Sequence, residues 1–276
     1  MVAFFSILFT NCQKESAGIN TTVNQDIKLS NTTVSAITQI RATITATIAS
    51  NGGNAITERG VCYDTVPNPT VSSTKKTNDT TTVDSFSVRI TQLKPNKTYY
   101  ARAYASNSKG TGYGEEVTFT THEIKIGDLF EGGIVFHIDA TGRHGIVAAR
   151  EGEDYAAVWG CMGVSAPGTA TGIGTGIANT SAIMKACSTA GIAARWTNQL
   201  NKDSFGDWYL PSKDELTEMF AHRDVVILNG AMRWSSSEID ANTAWALSFD
   251  QSGNPVPVPQ DKTAVLGVRA VRSFNF

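Results

Sequence analysis

The chain lacks most of the signatures that announce a catalytic or nucleic-acid-binding protein. No His-Glu-x-x-His, Cys-x-x-Cys or Gly-x-Ser-x-Gly occurs in its 276 residues, so the usual marks of zinc proteases, dithiol redox proteins and serine hydrolases are missing. Its 4 histidines, His122, His137, His144 and His222, show no tight metal-ligand spacing along the sequence. The glycine-rich stretch Gly168–Gly176 has neither a Lys-Ser/Thr ending nor a strand feeding it, and reads as a surface loop, not a phosphate cradle. An excess of positive charge is missing too. From Gln13 to Thr121 there are 11 Lys and Arg against 8 Asp and Glu, or +3; from His122 onward the balance is 12 against 17, or −5. Neither half offers the dense basic field that a nucleic-acid binder needs, so nucleic acid is excluded as a partner. Long apolar runs are absent near the start, where Val2–Phe9 offers about eight residues and a bilayer-spanning helix needs about 20.

What is present suffices for folded domains. Hydrophobic content of 41% and aromatic content of 9% allow buried cores, and the length suits one large domain or two ordinary ones. The apolar run Val2–Phe9 has the length of a secretion-signal core. Thr10-Asn11-Cys12 follows it directly, then polar Gln13-Lys14-Glu15-Ser16. This arrangement resembles a bacterial lipoprotein signal, with a looser lipobox of the kind found in Bacteroidota. The resemblance implies that residues 1–12 are the signal remnant, that Cys12 carries the lipid, and that residues 13–32 form a polar tether.

Beyond residue 32 a period of two sets in. Ala42-Thr43-Ile44-Thr45-Ala46-Thr47-Ile48 alternates apolar and polar residues as a half-buried strand does, and Asn51-Gly52-Gly53 supplies the positive-φ positions of a tight turn. Val61–Tyr63, Phe86–Ile90 and Val117–Phe119 read as further strands, which together predict an antiparallel sandwich. Leu93-Lys94-Pro95-Asn96-Lys97-Thr98-Tyr99 running into Tyr100–Ala105 resembles the tyrosine corner and following strand of fibronectin type III domains. Gly60-Val61-Cys62-Tyr63 and Ala105–Gly114 resemble the version common in Bacteroidota surface proteins. That likeness covers residues 33–121 and implies a spacer. Asp64-Thr65-Val66 and Asp79-Thr80-Thr81 match the general O-glycosylation pattern of exported Bacteroidota proteins, which implies sugars on Thr65 and Thr80.

The remaining residues, 124–276, begin with a turn-flanked strand at Gly127–Phe136 and a second at Gly145–Ala149. A helical region is expected over Thr180–Leu200, broken near Gly191 and capped by Asn179. Another helix starts at Ser212, where Ser-Lys-Asp-Glu spells a capping box and Leu216, Met219 and Phe220 form one apolar stripe. Strands are expected at Ala244–Phe249 and Leu266–Val271. Gly206–Leu216, Trp234–Glu238 and Val268–Arg272 resemble the C-terminal domain family of the Legionella collagen-like adhesin. Leu210-Pro211-Ser212 leading into an acidic helix, with the terminal Val-Arg strand, is similar to the formylglycine-generating branch of the C-type-lectin-like fold. No Cys follows Cys187, so that branch's cysteine chemistry is excluded. The fold class expected is therefore two domains: an all-β fibronectin type III-like sandwich and an α+β, C-type-lectin-like domain.

Several residues of this second domain bear on function. Trp159, Trp196, Trp208, Trp234 and Trp245 all lie in it. Trp208 and Trp234 fall inside the resembling motifs and are expected in the core, which leaves Trp159 and Trp196 as candidate ligand-stacking platforms. Glu238, Asp240 and Asn242 place three oxygen-bearing side chains two residues apart, a set that Ca²⁺ accepts if other segments complete its six to eight ligands; Glu151, Glu153 and Asp154 form a second such group. A solvated polar turn is the plainer reading of both, and no cofactor is expected, Ca²⁺ being the one ion with nominated ligands. Ser235-Ser236-Ser237 reads as structural, with hydroxyls bonded to backbone. Cys62 reads as a buried small hydrophobe. Cys161 and Cys187 share a domain, and an exported protein oxidises a suitable pair, but spacing alone leaves bridge and free thiols both open.

The expectation is thus an exported protein, lipid-anchored to the outer membrane and exposed at the surface. Its acidic head would recognise an extracellular glycan or protein without catalysis, and the −5 balance argues against the sulfated polysaccharide that the adhesin binds. An unrecognised carbohydrate-active hydrolase and a structural envelope or fimbria-like component are the alternatives.

Overall fold

The computed structural model describes residues 26–78, 84–152, 154–228 and 231–276. Cys12, the tether as far as residue 25, Thr80 and Glu153 lie outside the described residues, and the end of the expected tether, from Ile27, is instead paired as a strand of the first unit. Two compact units divide the chain: one runs to Leu93 and includes Lys97–Thr121, the other comprises Lys94–Asn96 and His122–Phe276.

The first unit is built on the period-two pattern. Its strands are β1 (Ile27–Ser35), β2 (Ala42–Asn51), β3 (Glu58–Asp64), β4 (Thr74–Asn78), β5 (Ser85–Ile90), β6 (Thr98–Asn107) and β7 (Gly110–Thr120). They form a three-stranded sheet, β1-β2-β5, and a four-stranded sheet, β4-β3-β6-β7, with antiparallel pairing throughout. Ala42, Ile44, Ala46 and Ile48 of β2 and Phe86, Val88 and Ile90 of β5 turn into one core with Ala101, Ala103 and Ala105 of β6. The threonines between them face outward, because successive side chains alternate faces. Tyr99 is buried against Tyr63 and Phe119. Tyr104 departs from the alternation: it lies on the outer face yet is fully buried, its hydroxyl donating to Glu58 Oε1 at 2.7 Å. Gly52 and Gly53 take φ of 65° and 73°, as the Asn-Gly-Gly turn requires.

The second unit holds β8 (Leu129–Phe130), β9 (Gly133–Ile138), β10 (His144–Ala148) and β11 (Tyr155–Ala157). Helices α1 (Gly176–Ala186), α2 (Ala193–Gln199), α3 (Lys213–Ala221) and α4 (Arg223–Val226) follow. The chain closes with β12 (Arg233–Glu238), β13 (Thr243–Phe249), β14 (Pro255–Asp261), β15 (Leu266–Val268) and β16 (Val271–Asn275). Two sheets result, β16-β10-β9-β8 and β11-β15-β12-β13-β14. The capping box forms: Ser212 Oγ accepts from Glu215 N at 3.2 Å, and Glu215 Oε2 accepts from Ser212 N at 2.7 Å. Leu216, Met219 and Phe220 are buried as the stripe predicts.

The first helix differs from expectation. It begins at Gly176 after Thr175, ahead of the expected Thr180, and stops at Ala186; the break before α2 is six residues wide and contains Gly191, as expected. Asn179 is not its cap. It is buried inside the helix, where its Nδ2 donates to Ala170 O and its Oδ1 accepts from Ala170 N. An amide that satisfies both the N–H and the C=O of one residue tethers the preceding loop, so the polar residue serves a tertiary contact and leaves the cap position to Thr175.

Candidate functional site

The second unit contains a cleft of about 360 Å³, within the range of small-molecule sites. The register of β9, β10 and β16 decides what lines it. Ile146 pairs with His137 on one side and Ser273 on the other, while His144 pairs with Asn275. Paired and alternate residues share a face, so His137, His144, Ile146, Ser273 and Asn275 stand together on one side of this sheet. Ile173 and Gly174 of the glycine-rich loop wall the other side. On the opposite face Phe274 packs against Phe130 and Phe276, filling the space that a Cβ on Gly145 would need, and Arg272 pairs with Glu131 and Asp207.

The glycine-rich stretch is at the surface, as expected, but it is pinned. Gly174 N donates to Glu215 Oε1 at 2.8 Å, and Ser212 Oγ donates to Gly172 O at 2.9 Å. A Cβ at Gly176 would run into Glu215 and the Tyr209 ring, so the close approach of loop to helix requires glycine there. Burial pushes the Glu215 carboxyl up, against the lowering effect of the Ser212, Gly174 and Gly176 N–H groups. Burial, with Glu215 nearby, likewise pushes the Tyr209 phenol up; its hydroxyl meets Ser273 Oγ at 2.7 Å beside the cleft.

Each cleft histidine is matched by a carboxylate. His144 Nδ1 lies 3.0 Å from Asp139 Oδ2, and His137 Nδ1 lies 3.6 Å from Glu218 Oε1 on α3. Hydrogen bonds from the Thr141 hydroxyl, then from the His144 ring and the backbone of His144 and Arg143, hold the Asp139 carboxyl well below the usual carboxylate range. Asp139 is therefore ionised and already occupied, and acts on His144 as an orienting group.

Of the residues nominated from sequence, several are placed elsewhere. Trp159 is no platform: it is 1% exposed, its ring NH donates to Ser235 O at 2.7 Å, and the Lys262 ammonium sits 4.7 Å from its ring. Trp196 is half-buried and stacked on Tyr155 at 5.1 Å, so the more exposed ring of that pair is Tyr155. Glu238, Asp240 and Asn242 do not assemble as calcium ligands. Glu238 is buried in an ion pair with Lys262 and accepts from Ser165 and Ala166, whereas Asp240 Oδ1 accepts from Asn242 N and Thr243 N to close a turn. Asn242 is exposed. Asp154 is likewise taken, by Arg233 at 2.8 Å and Arg269 at 2.5 Å. Burial alone would raise its carboxyl, but the hydrogen bonds from Arg269 and Arg233 outweigh that and hold it below its ordinary value. Among the described residues no group of three or more His, Cys, Asp or Glu forms a ready metal-ligand set.

Cys161 and Cys187 are joined in a disulfide with Cα atoms 5.5 Å apart, and Cys62 is free and buried. Thr65 is exposed on the loop after β3. The serine run is structural: Ser235 Oγ donates to Trp245 O and Ser237 Oγ to Ala170 O, each at 2.7 Å. Sequence reasoning missed the cleft because its histidines were judged by linear spacing. The available signal was the hairpin itself: residues 137 and 144 flank a tight Asp-x-Thr turn between two strands, which places them on one face.

No family model matches the chain, and no curated protein matches it in sequence. Solved structures that resemble it are fibronectin type III-like and β-sandwich domains. The sixth fibronectin type III domain of human fibronectin type III domain containing protein 3 is 20% identical, covering 38% of this chain and 92% of its own, with a TM-score of 0.29. The sensor domain of the anti-sigma factor RsgI4 in Pseudobacteroides cellulosolvens is 20% identical, covering 38% and 99%, with a TM-score of 0.28. A computationally redesigned β-sandwich protein is 28% identical, covering 36% and 97%, also at 0.28. At these scores the likeness carries no argument, and the sandwich of the first unit rests on its strand order and register.

Proposed function

We propose that this chain is a surface recognition protein held by a lipid on Cys12, with the fibronectin type III-like unit as spacer and the second unit as a non-catalytic head. In this reading the head belongs with the C-terminal domain of the Legionella collagen-like adhesin and the C-type-lectin-like α+β folds, and binds an extracellular glycan or protein at the outer membrane. The observation that carries it is the cleft: a floor of Ile146 and a rim of Ile173, with the hydroxyl of Ser273, the carboxamide of Asn275 and two imidazoles around them. Apolar surface ringed by a few hydrogen-bonding groups is the usual make-up of a small-ligand site.

A second reading, hydrolysis, draws on the Asp139–His144 pair, since a carboxylate that orients an imidazole is a common base arrangement. It lacks a matched nucleophile, because the Ser273 hydroxyl is bonded to Tyr209. Binding of the full chain to glycan and protein arrays tests the first reading. A ligand should be retained without turnover, and Ile173→Glu, a change at a residue 43% exposed, should abolish retention. Turnover of the retained glycan would replace recognition by hydrolysis. For the anchor, metabolic acyl labelling should mark the native chain and not Cys12→Ser.

A further inference from the structure

We propose that His137 and His144 together form a site for one borderline divalent transition-metal ion of the Zn²⁺ class, held through the Nε2 atoms of both rings on the cleft face of the β9–β10 hairpin. The two residues stand on adjacent antiparallel strands: His137 pairs with Ile146, and His144 precedes Ile146 by two positions on the same face. That is a diagonal cross-strand relation, with Cα atoms roughly 7–8 Å apart, a span that two imidazole side chains close around a shared ion. Both residues line the same cleft.

The orientation of the rings is the second observation. His144 turns Nδ1 to Asp139 at 3.0 Å, and His137 turns Nδ1 to Glu218 at 3.6 Å. The Asp139 carboxylate hydrogen-bonded at Nδ1 fixes the ring and tautomer of His144 and makes its Nε2 the more basic donor, the outer-shell pattern of histidines that ligate metals; Glu218 stands near His137 without a hydrogen bond and is shared with His222 Nε2, also at 3.6 Å. Among the described residues neither Nε2 of this pair has a hydrogen-bond partner. Imidazole suits Zn, Cu and Ni and not Ca²⁺ or Mg²⁺, so this is a different chemistry from a carboxylate calcium loop. With Asp139 spent on orienting His144, the two histidines are the protein's ligands, and the other positions of a tetrahedral ion fall to water or to an oxygen of whatever enters the cleft. The site does not depend on what the head recognises.

Titration of the full chain with ZnCl₂ at neutral pH, followed by calorimetry and by the ring C–H signals of the histidines, tests it. One ion per chain is expected, moving the ring signals of two of the four histidines. Affinity should fall at least tenfold in His144→Ala and in His137→Ala and stay unchanged in His122→Ala, whose residue is exposed and outside the cleft. His144 has a side chain 63% exposed, so its loss leaves the fold intact. No saturable binding up to millimolar zinc, or binding that moves His122 or His222 while both cleft variants bind normally, would overturn the proposal.

Discussion

The two units solve burial in opposite ways. Among the described residues, the first buries only Arg59 and Thr121 as polar side chains, whereas the second buries eleven, among them Glu215, Arg233, Lys262, Arg269 and the three serines of β12. In the sandwich, strands β2, β5 and β6 turn alternate apolar residues into one core, and most polar side chains meet at the surface, as Thr45 and Ser87 do at 2.8 Å. In the second unit polar groups bind segments far apart in sequence: Lys262 to Glu238 and Val164, Asp154 to Arg233 and Arg269, Asn179 to Ala170 and Ser236. The sandwich is held by one apolar core; the second unit has two apolar clusters and adds specific internal polar contacts between its long irregular connections. Such contacts stabilise only when complete, since a buried charge stripped of its partner costs more than the pair contributes.

This contrast is open to measurement because all five tryptophans lie in the second unit, so their fluorescence reports its unfolding alone. The largest effect is expected for Lys262→Met, which leaves Glu238 buried without its cation. The tryptophan-detected denaturation should lose about 3–5 kcal/mol, and Lys262→Met with Glu238→Gln should recover a good part of it. Next comes Ile44→Ala in the first unit. Amide exchange of β2 and β5 should report a loss of about 2–5 kcal/mol, with the tryptophan transition unmoved; a common shift would show that the units unfold as one.

Acid is expected to act more gently and on the second unit. The folded-state pKa of Asp154 is depressed, so the contribution of its arginine pairs is present above its unfolded pKa of about 3.9 and is lost as pH falls through the folded value. Tryptophan-detected stability should decline over that acid window, and Asp154→Asn should flatten the decline. The smallest effect belongs to Thr45→Val, which removes an exposed hydroxyl pair and should move the stability of the sandwich by less than about 0.5 kcal/mol.

Five of the seven sandwich strands were legible in the sequence, because a period of two is a local property that each states by itself; β1, whose first residues fall in the stretch read as a tether, and β4 carry no such clear alternation. The α3 capping box was legible for the same reason: Ser212 and Glu215 are three residues apart and need no distant partner. Trp159 and Glu238 were misjudged because their partners, Ser235 and Lys262, lie tens of residues away. Asn179 looked like a cap because a short amide next to a helical stretch usually is one, and only the loop it meets reveals otherwise.

The sequence by itself determined where strands alternate, where one helix starts, how the charge divides, and which cysteines were available to pair. Only the tertiary structure decided that those cysteines meet, that two tryptophans of equal promise are buried or stacked, and that His137 and His144 face one cleft. The reason is range. Backbone preference and side-chain alternation act over a few residues, whereas an ion pair, a disulfide or a binding face depends on a register between strands that no single segment encodes.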